Sequence, residues 1–196
     1  MGDHAVGCHK QGELITLHNS LRDDLFRSAA QAGLSPTREE RNLLAAQVDR
    51  DNQRPGDVKV RNWDGGQTAV WDVCVTSPLQ LSDQILKAAA RKAGSALDTA
   101  LTKKNNKFAQ ACREEGYQFI ALPVETLGGW HPQAQAVIIR LGGLAALATG
   151  GDKDVVTKQL FQKLAVSLVR GNASLILSRI PSHPSPDLDG DIDLDF

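Results

Sequence analysis

The chain has 196 residues, of which 41% are hydrophobic and 23% charged, and its formal net charge is −1. These values are ordinary for a soluble globular protein of one domain. No run of 18 apolar residues occurs, which argues against a membrane-spanning helix. The three cysteines form no C-x-x-C pair, so we expect a reducing, intracellular setting.

Charge is unevenly distributed along the chain. Five aspartates fall within the last ten residues, so the remaining chain carries 22 basic and 18 acidic side chains. Residues 86–115 contain seven lysines or arginines and three acids. This local excess suits a phosphate backbone, although such a run is more often a solvated helix face. Residues 182–196 bury little, so we expect a disordered acidic tail there.

The N-terminal half predicts a helix followed by a β-hairpin. Apolar side chains recur at three- and four-residue steps over residues 13–33, which indicates an amphipathic helix. Ser35-Pro36 is typical of a helix start, so a short second helix is expected there. Residues 58–63 alternate apolar and polar side chains, Asp64-Gly65-Gly66 is a turn signal, and residues 69–76 form the second strand of the hairpin.

The C-terminal half is mostly helical. Residues 80–115 have a helical composition with a break near Gly94, and residues 117–124 predict a strand that Pro123 places toward a sheet edge. Helices are expected at residues 132–148 and 153–170, and residues 172–180 could be helix or strand. The predicted fold class is therefore α/β, with a small mixed sheet flanked by helices and an added C-terminal helical segment.

Two aspartates stand out in the hairpin. Asp57 lies at the mouth of the first strand and Asp72 inside the otherwise apolar second strand, so the two can lie side by side. A buried aspartate costs several kcal/mol unless it is paired or ligates a metal. A divalent cation such as Mg²⁺ would relieve the repulsion between the carboxylates and could activate water. Alternatively, Asp57 is a turn residue and Asp72 an ion-paired one.

The most specific motif spans both strands. It reads Arg-Pro-Gly-Asp-Val over residues 54–58 and Asp-Val-Cys-Val-Thr-Ser-Pro over residues 72–78, with fourteen residues between the two aspartates. This motif resembles the PD-(D/E)xK nuclease signature. The resemblance is greatest to the restriction-like endonuclease at the C-terminal end of site-specific non-LTR retrotransposon polyproteins and their transposon-derived relatives.

Other segments resemble the same family, so the similarity covers roughly residues 2–181. They are residues 18–23, 104–108, 124–129 and 160–173. The resemblance implies a restriction-endonuclease-like core and a DNA endonuclease that uses Mg²⁺, with Mn²⁺ as a substitute. A DNA substrate implies a nuclear location, and no membrane partner is expected.

The resemblance also implies a set of site residues. The metal ligands would be Asp57, Asp72 and Val73. The common signature has a lysine two residues after the second acid, and that position here is Cys74. In the retrotransposon form the lysine comes from the next helix, in a K-x-x-x-Y-like motif, which makes Lys104 the first candidate. Lys107 is the second candidate, and Phe108 stands in place of the tyrosine.

Three glutamates are weaker candidates. Glu125 follows the third strand and could approach the metal or hold the lysine, although it could equally cap the helix that begins near Pro132. Glu39 and Glu40 could supply an acid from the first helical region, but they are expected to face solvent.

The first twelve residues resemble part of a zinc knuckle. His4 and Cys8 have the spacing of its last two ligands, but the two upstream cysteines are absent, and a closed zinc site needs four ligands. We therefore expect a remnant at residues 1–12 that binds no zinc, followed by a nuclease domain with C-terminal helices at residues 13–181.

Two other functions stay open at this point. The chain could be a DNA-binding module of the same origin whose catalysis has decayed, since Cys74 and Phe108 depart from the family pattern. It could also be an interaction domain, with the apolar stripe of the C-terminal helices packing on a partner. Such a stripe is more often core.

Overall fold

The structure is a computed structural model that describes residues 13–44, 54–79 and 82–178. It confirms the α/β class, because a four-stranded mixed sheet is flanked by helices. The expected zinc-knuckle remnant and acidic tail lie outside the described residues. In chain order the elements are α1 (Glu13–Gln31), β1 (Ser35–Arg38), β2 (Val58–Asp64), β3 (Gln67–Thr76), α2 (Asp83–Arg91), α3 (Ser95–Glu114), β4 (Tyr117–Glu125), α4 (Pro132–Thr149) and α5 (Lys153–Leu177).

The sheet has the strand order β1-β2-β3-β4. The first three strands are antiparallel, and β4 pairs in parallel with β3. The predicted hairpin is confirmed as β2 and β3, joined by Gly65 and Gly66 at φ of 56° and 87°. Positive φ at both turn positions suits a two-residue hairpin loop and favours glycine. A parallel pair requires a crossover, which α2 and α3 supply.

The expectation of a short helix at Ser35-Pro36 is wrong. These residues begin β1, which pairs with β2 from Ser35 opposite Arg61 to Arg38 opposite Val58. The strand lies at the edge of the sheet. A proline is tolerated there because an edge strand has an open side, where no neighbouring strand requires an N–H donor. The strand conformation comes from pairing with β2, which lies about 20 residues later in the chain. The local sequence of residues 35–38 does not show this pairing, so it favoured a helix.

Different helices pack against the two sides of the sheet. The main core combines α1, α4 and α5 with alternate side chains of β3, namely Ala69, Trp71 and Val73. A smaller cluster joins Phe108 and Cys112 of α3 with Phe119 of β4. Because successive side chains of a strand point to opposite faces, Asp72 and Cys74 project toward α3 and away from the main core.

The C-terminal helices pack closely on the sheet and on one another. The segment that could have been helix or strand is helical, since α5 continues without a break to Leu177. A side chain at Gly142 of α4 would meet the Cα of Thr157 at 2.8 Å, and one at Gly171 of α5 would meet the Cδ1 of Leu17 at 2.4 Å. None of the described helices combines the length and apolarity needed to cross a membrane.

Candidate active site

Asp57 is placed by a close approach between the segment before β2 and the backbone of β3. Its N–H donates to the Trp71 carbonyl over 2.7 Å. The preceding residue must be small, because a Cβ at Gly56 would come within 2.7 Å of the same carbonyl oxygen and 2.6 Å of the Val70 Cγ1. The glycine of the motif therefore lets Asp57 reach the strand that carries Asp72.

The Asp57 carboxylate is buried and held by two donors on one oxygen. Its Oδ2 accepts the Val73 N–H over 2.7 Å and lies 3.0 Å from the His18 Nε2. Val73, expected as a metal ligand, therefore contributes its backbone N–H to Asp57. The described residues make no hydrogen bond to the Asp57 Oδ1, which leaves this oxygen available to a cation.

Asp72 is buried beside Asp57 and pairs with a lysine from α3. Its Oδ2 lies 2.8 Å from the Lys104 Nζ and 3.4 Å from the Cys74 Sγ, which donates to it. Burial raises the pKa of Asp72, and the charge of Asp57 adds to this rise, although Lys104 opposes it. The two neighbouring carboxylates thus repel each other, and Lys104 compensates only part of their negative charge.

Lys104 lies at the aspartates, whereas Lys107 lies on the surface of α3 and does not reach them. Burial would lower the pKa of Lys104, but the charge and hydrogen bond of Asp72 outweigh it, so this pKa is raised. Lys107 is exposed, and its Nζ lies 4.9 Å from the centre of the Phe108 ring. The ring itself is buried against Phe119. Of the two candidate lysines, Lys104 alone contacts an aspartate in the part of the chain that the structure describes.

Cys74 occupies the position that the lysine has in the common signature. Burial raises the pKa of its thiol, and the nearby Asp72 carboxylate raises it further. The group is therefore a neutral donor at physiological pH and supplies no positive charge. Lys104 supplies that charge to the same Asp72 oxygen from the neighbouring helix.

His18 is a site residue that the sequence reasoning missed. It lies on α1 next to the buried Leu17, and its Nδ1 is 3.3 Å from the Asn19 Oδ1. Burial alone would lower the pKa of His18, but the hydrogen bond and charge of Asp57 outweigh it and raise the pKa. The only signal for His18 in the sequence was its place in the segment 18–23, which resembles the nuclease family.

Glu125 is not brought to the aspartates. It ends β4 four residues beyond Ala121, the residue paired with Asp72, which places it about 13 Å farther along the strand. Its carboxylate lies over Gly129, and burial raises its pKa. The alternative role as a helix cap is also wrong, because His131 caps α4 by accepting the Gln133 N–H over 3.1 Å.

Glu39 and Glu40 are half-buried in ion pairs rather than directed to solvent. Glu39 pairs with Arg22 and, over 2.9 Å, with Arg54. Glu40 pairs with the buried Lys59. In the described structure these carboxylates are engaged with basic side chains and contact neither the Asp57 nor the Asp72 carboxylate.

A cleft of about 510 Å³ opens beside the aspartates, between α1, β3 and α3. His18, Cys74 and Lys104 contribute to its lining, and Lys103 stands at the same wall. The described residues contain no group of three His, Cys, Asp or Glu side chains placed to hold a metal. Mg²⁺ does not require one, because one or two carboxylates commonly hold it while water and phosphate oxygens complete its shell. Asp57, whose Oδ1 accepts no hydrogen bond from the described residues, lies beside Asp72, so these carboxylates fit that requirement.

The arrangement thus combines two adjacent buried carboxylates, one lysine and one histidine at the wall of an open cleft. Hard oxygen donors with a nearby fixed cation suit an anionic substrate whose charge increases during reaction. No protein-family model matches the chain, and no curated protein is significantly similar to it.

Proposed function

We propose that this chain is a metal-dependent DNA endonuclease that hydrolyses phosphodiester bonds with Mg²⁺ or Mn²⁺. The observation that carries the proposal is the contact between Lys104 of α3 and Asp72 of β3, made beside Asp57. The same residue types are those that the resemblance to the PD-(D/E)xK signature implies. A restriction-like core, in which a small mixed sheet presents both acids, is consistent with the observed strand order.

The two aspartates would hold the metal, and the lysine would act on the substrate. A divalent cation held by these carboxylates would activate water and stabilise the leaving oxygen. Asp57 would bind the cation through its Oδ1, which accepts no hydrogen bond from the described residues, while Val73 and His18 hold its other oxygen. Lys104 orients the attacking water or stabilises the charge that builds up on the phosphate.

The replacement of the expected lysine by Cys74 is compatible with this chemistry. The Cys74 Sγ and the Lys104 Nζ approach the same Asp72 oxygen, at 3.4 Å and 2.8 Å. A cation therefore stands next to the second acid, as the signature requires, although it is delivered by α3. The lysine that contacts the second acid would thus come from the next helix, as in the retrotransposon form that the sequence resembles.

The exposed face of α3 supplies a surface for the DNA backbone. Lys103, Lys107 and Arg113 are exposed on this helix and have no ion-pair partner among the described residues. Lysine and arginine side chains that are free of acidic partners displace counterions from phosphates and so contribute to nucleic-acid affinity. DNA as the substrate would place the protein with nuclear DNA.

The proposal is tested with supercoiled plasmid and Mg²⁺. We expect the wild-type protein to nick the plasmid, Asp72→Asn and Asp57→Asn to lose nicking, and Lys158→Ala, an exposed change on α5, to nick like the wild type. Asp72→Asn should still retain DNA in a filter-binding assay. Equal nicking by wild type and Asp72→Asn would overturn the proposal. DNA binding by a wild-type protein that never nicks would instead identify a decayed DNA-binding module.

A further inference from the structure

His18 makes a contact that the two-strand motif does not provide. Its Nε2 lies 3.0 Å from the Asp57 Oδ2, and the same oxygen accepts the Val73 N–H over 2.7 Å. Two donors that converge on one carboxylate oxygen fix the rotation of the whole group. The other oxygen is thereby held in one direction.

The ring is not needed to anchor the helix that carries it. Leu17, Leu21 and Leu25 of α1 are fully buried and fix this helix against the sheet. The His18 side chain is 27% exposed and forms part of the wall of the cleft that Lys104 also lines. The His18 side chain therefore lies outside the buried core of α1, at the cleft, where it contacts the Asp57 carboxylate. This position indicates that its role is the contact with Asp57 and not packing of the helix.

We propose that His18 is a positioning residue, which orients Asp57 so that its Oδ1 is ready to bind the divalent cation. This inference rests on the proposed function and extends it, because it adds a contribution from α1 to a site otherwise built from the hairpin and α3. His18 acts through Asp57 and does not itself touch the metal. Partners of this kind, in contact with a metal-binding carboxylate, are commonly worth 10- to 100-fold in metal affinity.

Two variants separate the contact from general packing. In His18→Gln the side-chain amide can place an N–H near the position of the Nε2, whereas in His18→Asn the amide is too short and stands near the position of the Nδ1. Both are neutral and polar, so they form a matched pair. Mn²⁺ affinity is measured without DNA by the loss of the free-ion electron paramagnetic resonance signal, and folding is followed by thermal unfolding in EDTA.

We expect His18→Asn to weaken Mn²⁺ binding by about 10-fold or more, and His18→Gln to recover most of the wild-type affinity. Thermal unfolding in EDTA should differ little between the two variants. Wild-type Mn²⁺ affinity in His18→Asn would overturn the inference, as would tighter binding, which would make the ring a competitor of the metal. The inference would also be overturned if both variants lost the same amount of Mn²⁺ affinity and this loss paralleled a loss of thermal stability.

The same measurements distinguish this inference from the proposed function. If the wild type binds Mn²⁺ and nicks DNA, and Asp72→Asn does neither, the nuclease proposal stands whatever His18 does. In that case, normal metal binding by His18→Asn overturns the role of His18 alone. A wild-type protein that neither binds Mn²⁺ nor nicks DNA overturns both.

Discussion

Lys104 and Lys107 lie three residues apart on α3 and have opposite environments. Lys104 contacts Asp72 over 2.8 Å, whereas Lys107 is exposed over the face of Phe108. Coulombic stabilisation of a transition state requires a fixed charge close to the reacting atoms. The contribution of Lys104 should therefore appear in the rate of the chemical step, and that of Lys107 in the affinity for DNA.

We accordingly predict that Lys104→Ala lowers the single-turnover nicking rate by about 100-fold or more, the usual cost of removing one such stabilising group. Lys107→Ala should change that rate little at saturating protein concentration. The measurement uses an excess of enzyme over supercoiled plasmid at saturating Mg²⁺. If the two variants lose the same amount of rate, Lys104 has no special position in the site.

At this scale the sequence predicted the residues that depend on local pattern. Asp72 was recognisable as a single charge in an apolar strand, and Lys104 from the resemblance of residues 104–108 to the K-x-x-x-Y-like motif of the nuclease family. His18 was not recognisable, because it meets Asp57 across 39 residues and nothing in its local pattern predicts that contact. Glu125 was misplaced for a related reason, since the length and register of β4 decide where its end lies.

Close packing between α4 and α5 depends on one glycine of an adjacent pair. A side chain at Gly142 would collide with Thr157, whose Cα is 2.8 Å from the position of the new Cβ. A side chain at Gly143 would meet only the flexible end of Lys153, at 3.5 Å. Both positions lie inside α4, so alanine gains the same helix propensity at each.

We expect Gly142→Ala to lower the free energy of unfolding by about 1–3 kcal/mol, because overpacking forces the two helices apart. Gly143→Ala should raise it by up to about 1 kcal/mol, since alanine is favoured over glycine in a helix. Urea unfolding followed by circular dichroism measures both. Destabilisation of similar size in the two variants would contradict the observed crossing of α4 and α5.

Helices and strands with a periodic pattern of apolar side chains could be predicted from the sequence. A strand that forms only by pairing with a segment distant in the sequence could not. The hairpin of β2 and β3 carries alternation and a glycine turn, so its strands and their connection were evident. The four residues of β1 carry neither, and their strand conformation comes from pairing with β2. The proline at Pro36 fits a helix start and an edge strand equally well, and the sheet decides between them.

Over the whole molecule, basic side chains fall into paired and unpaired groups. Lys59 and Lys104 are ion-paired near the hairpin, whereas Lys103 and Lys107 have no acidic partner among the described residues and lie on the exposed side of α3. Lys158 of α5 is also exposed, but it belongs to the layer on the other side of the sheet. Only the α3 side should neutralise DNA phosphates.

We therefore predict a change in the salt dependence of DNA binding. In the non-nicking Asp72→Asn background, replacing Lys103 and Lys107 by alanine should lower the magnitude of the slope of log K against log salt by about 2, one for each lost phosphate contact. Lys158→Ala should leave the slope unchanged. Fluorescence anisotropy with a duplex over a range of salt concentrations measures it, and equal slopes in all three proteins would place the DNA elsewhere.

The delivery of Lys104 by a helix gives the molecule a mechanical property that a lysine on β3 could not give. A lysine two residues after Asp72 would move rigidly with that carboxylate, so their separation would be fixed by the strand. Here the ammonium belongs to Lys104 of α3 and the carboxylate to Asp72 of β3, and the same helix carries the exposed Lys103 and Lys107. If DNA binds the exposed lysines, any shift of α3 relative to β3 would also change the distance between this ammonium and carboxylate. Substrate binding and the alignment of the catalytic charges would then be mechanically coupled through α3.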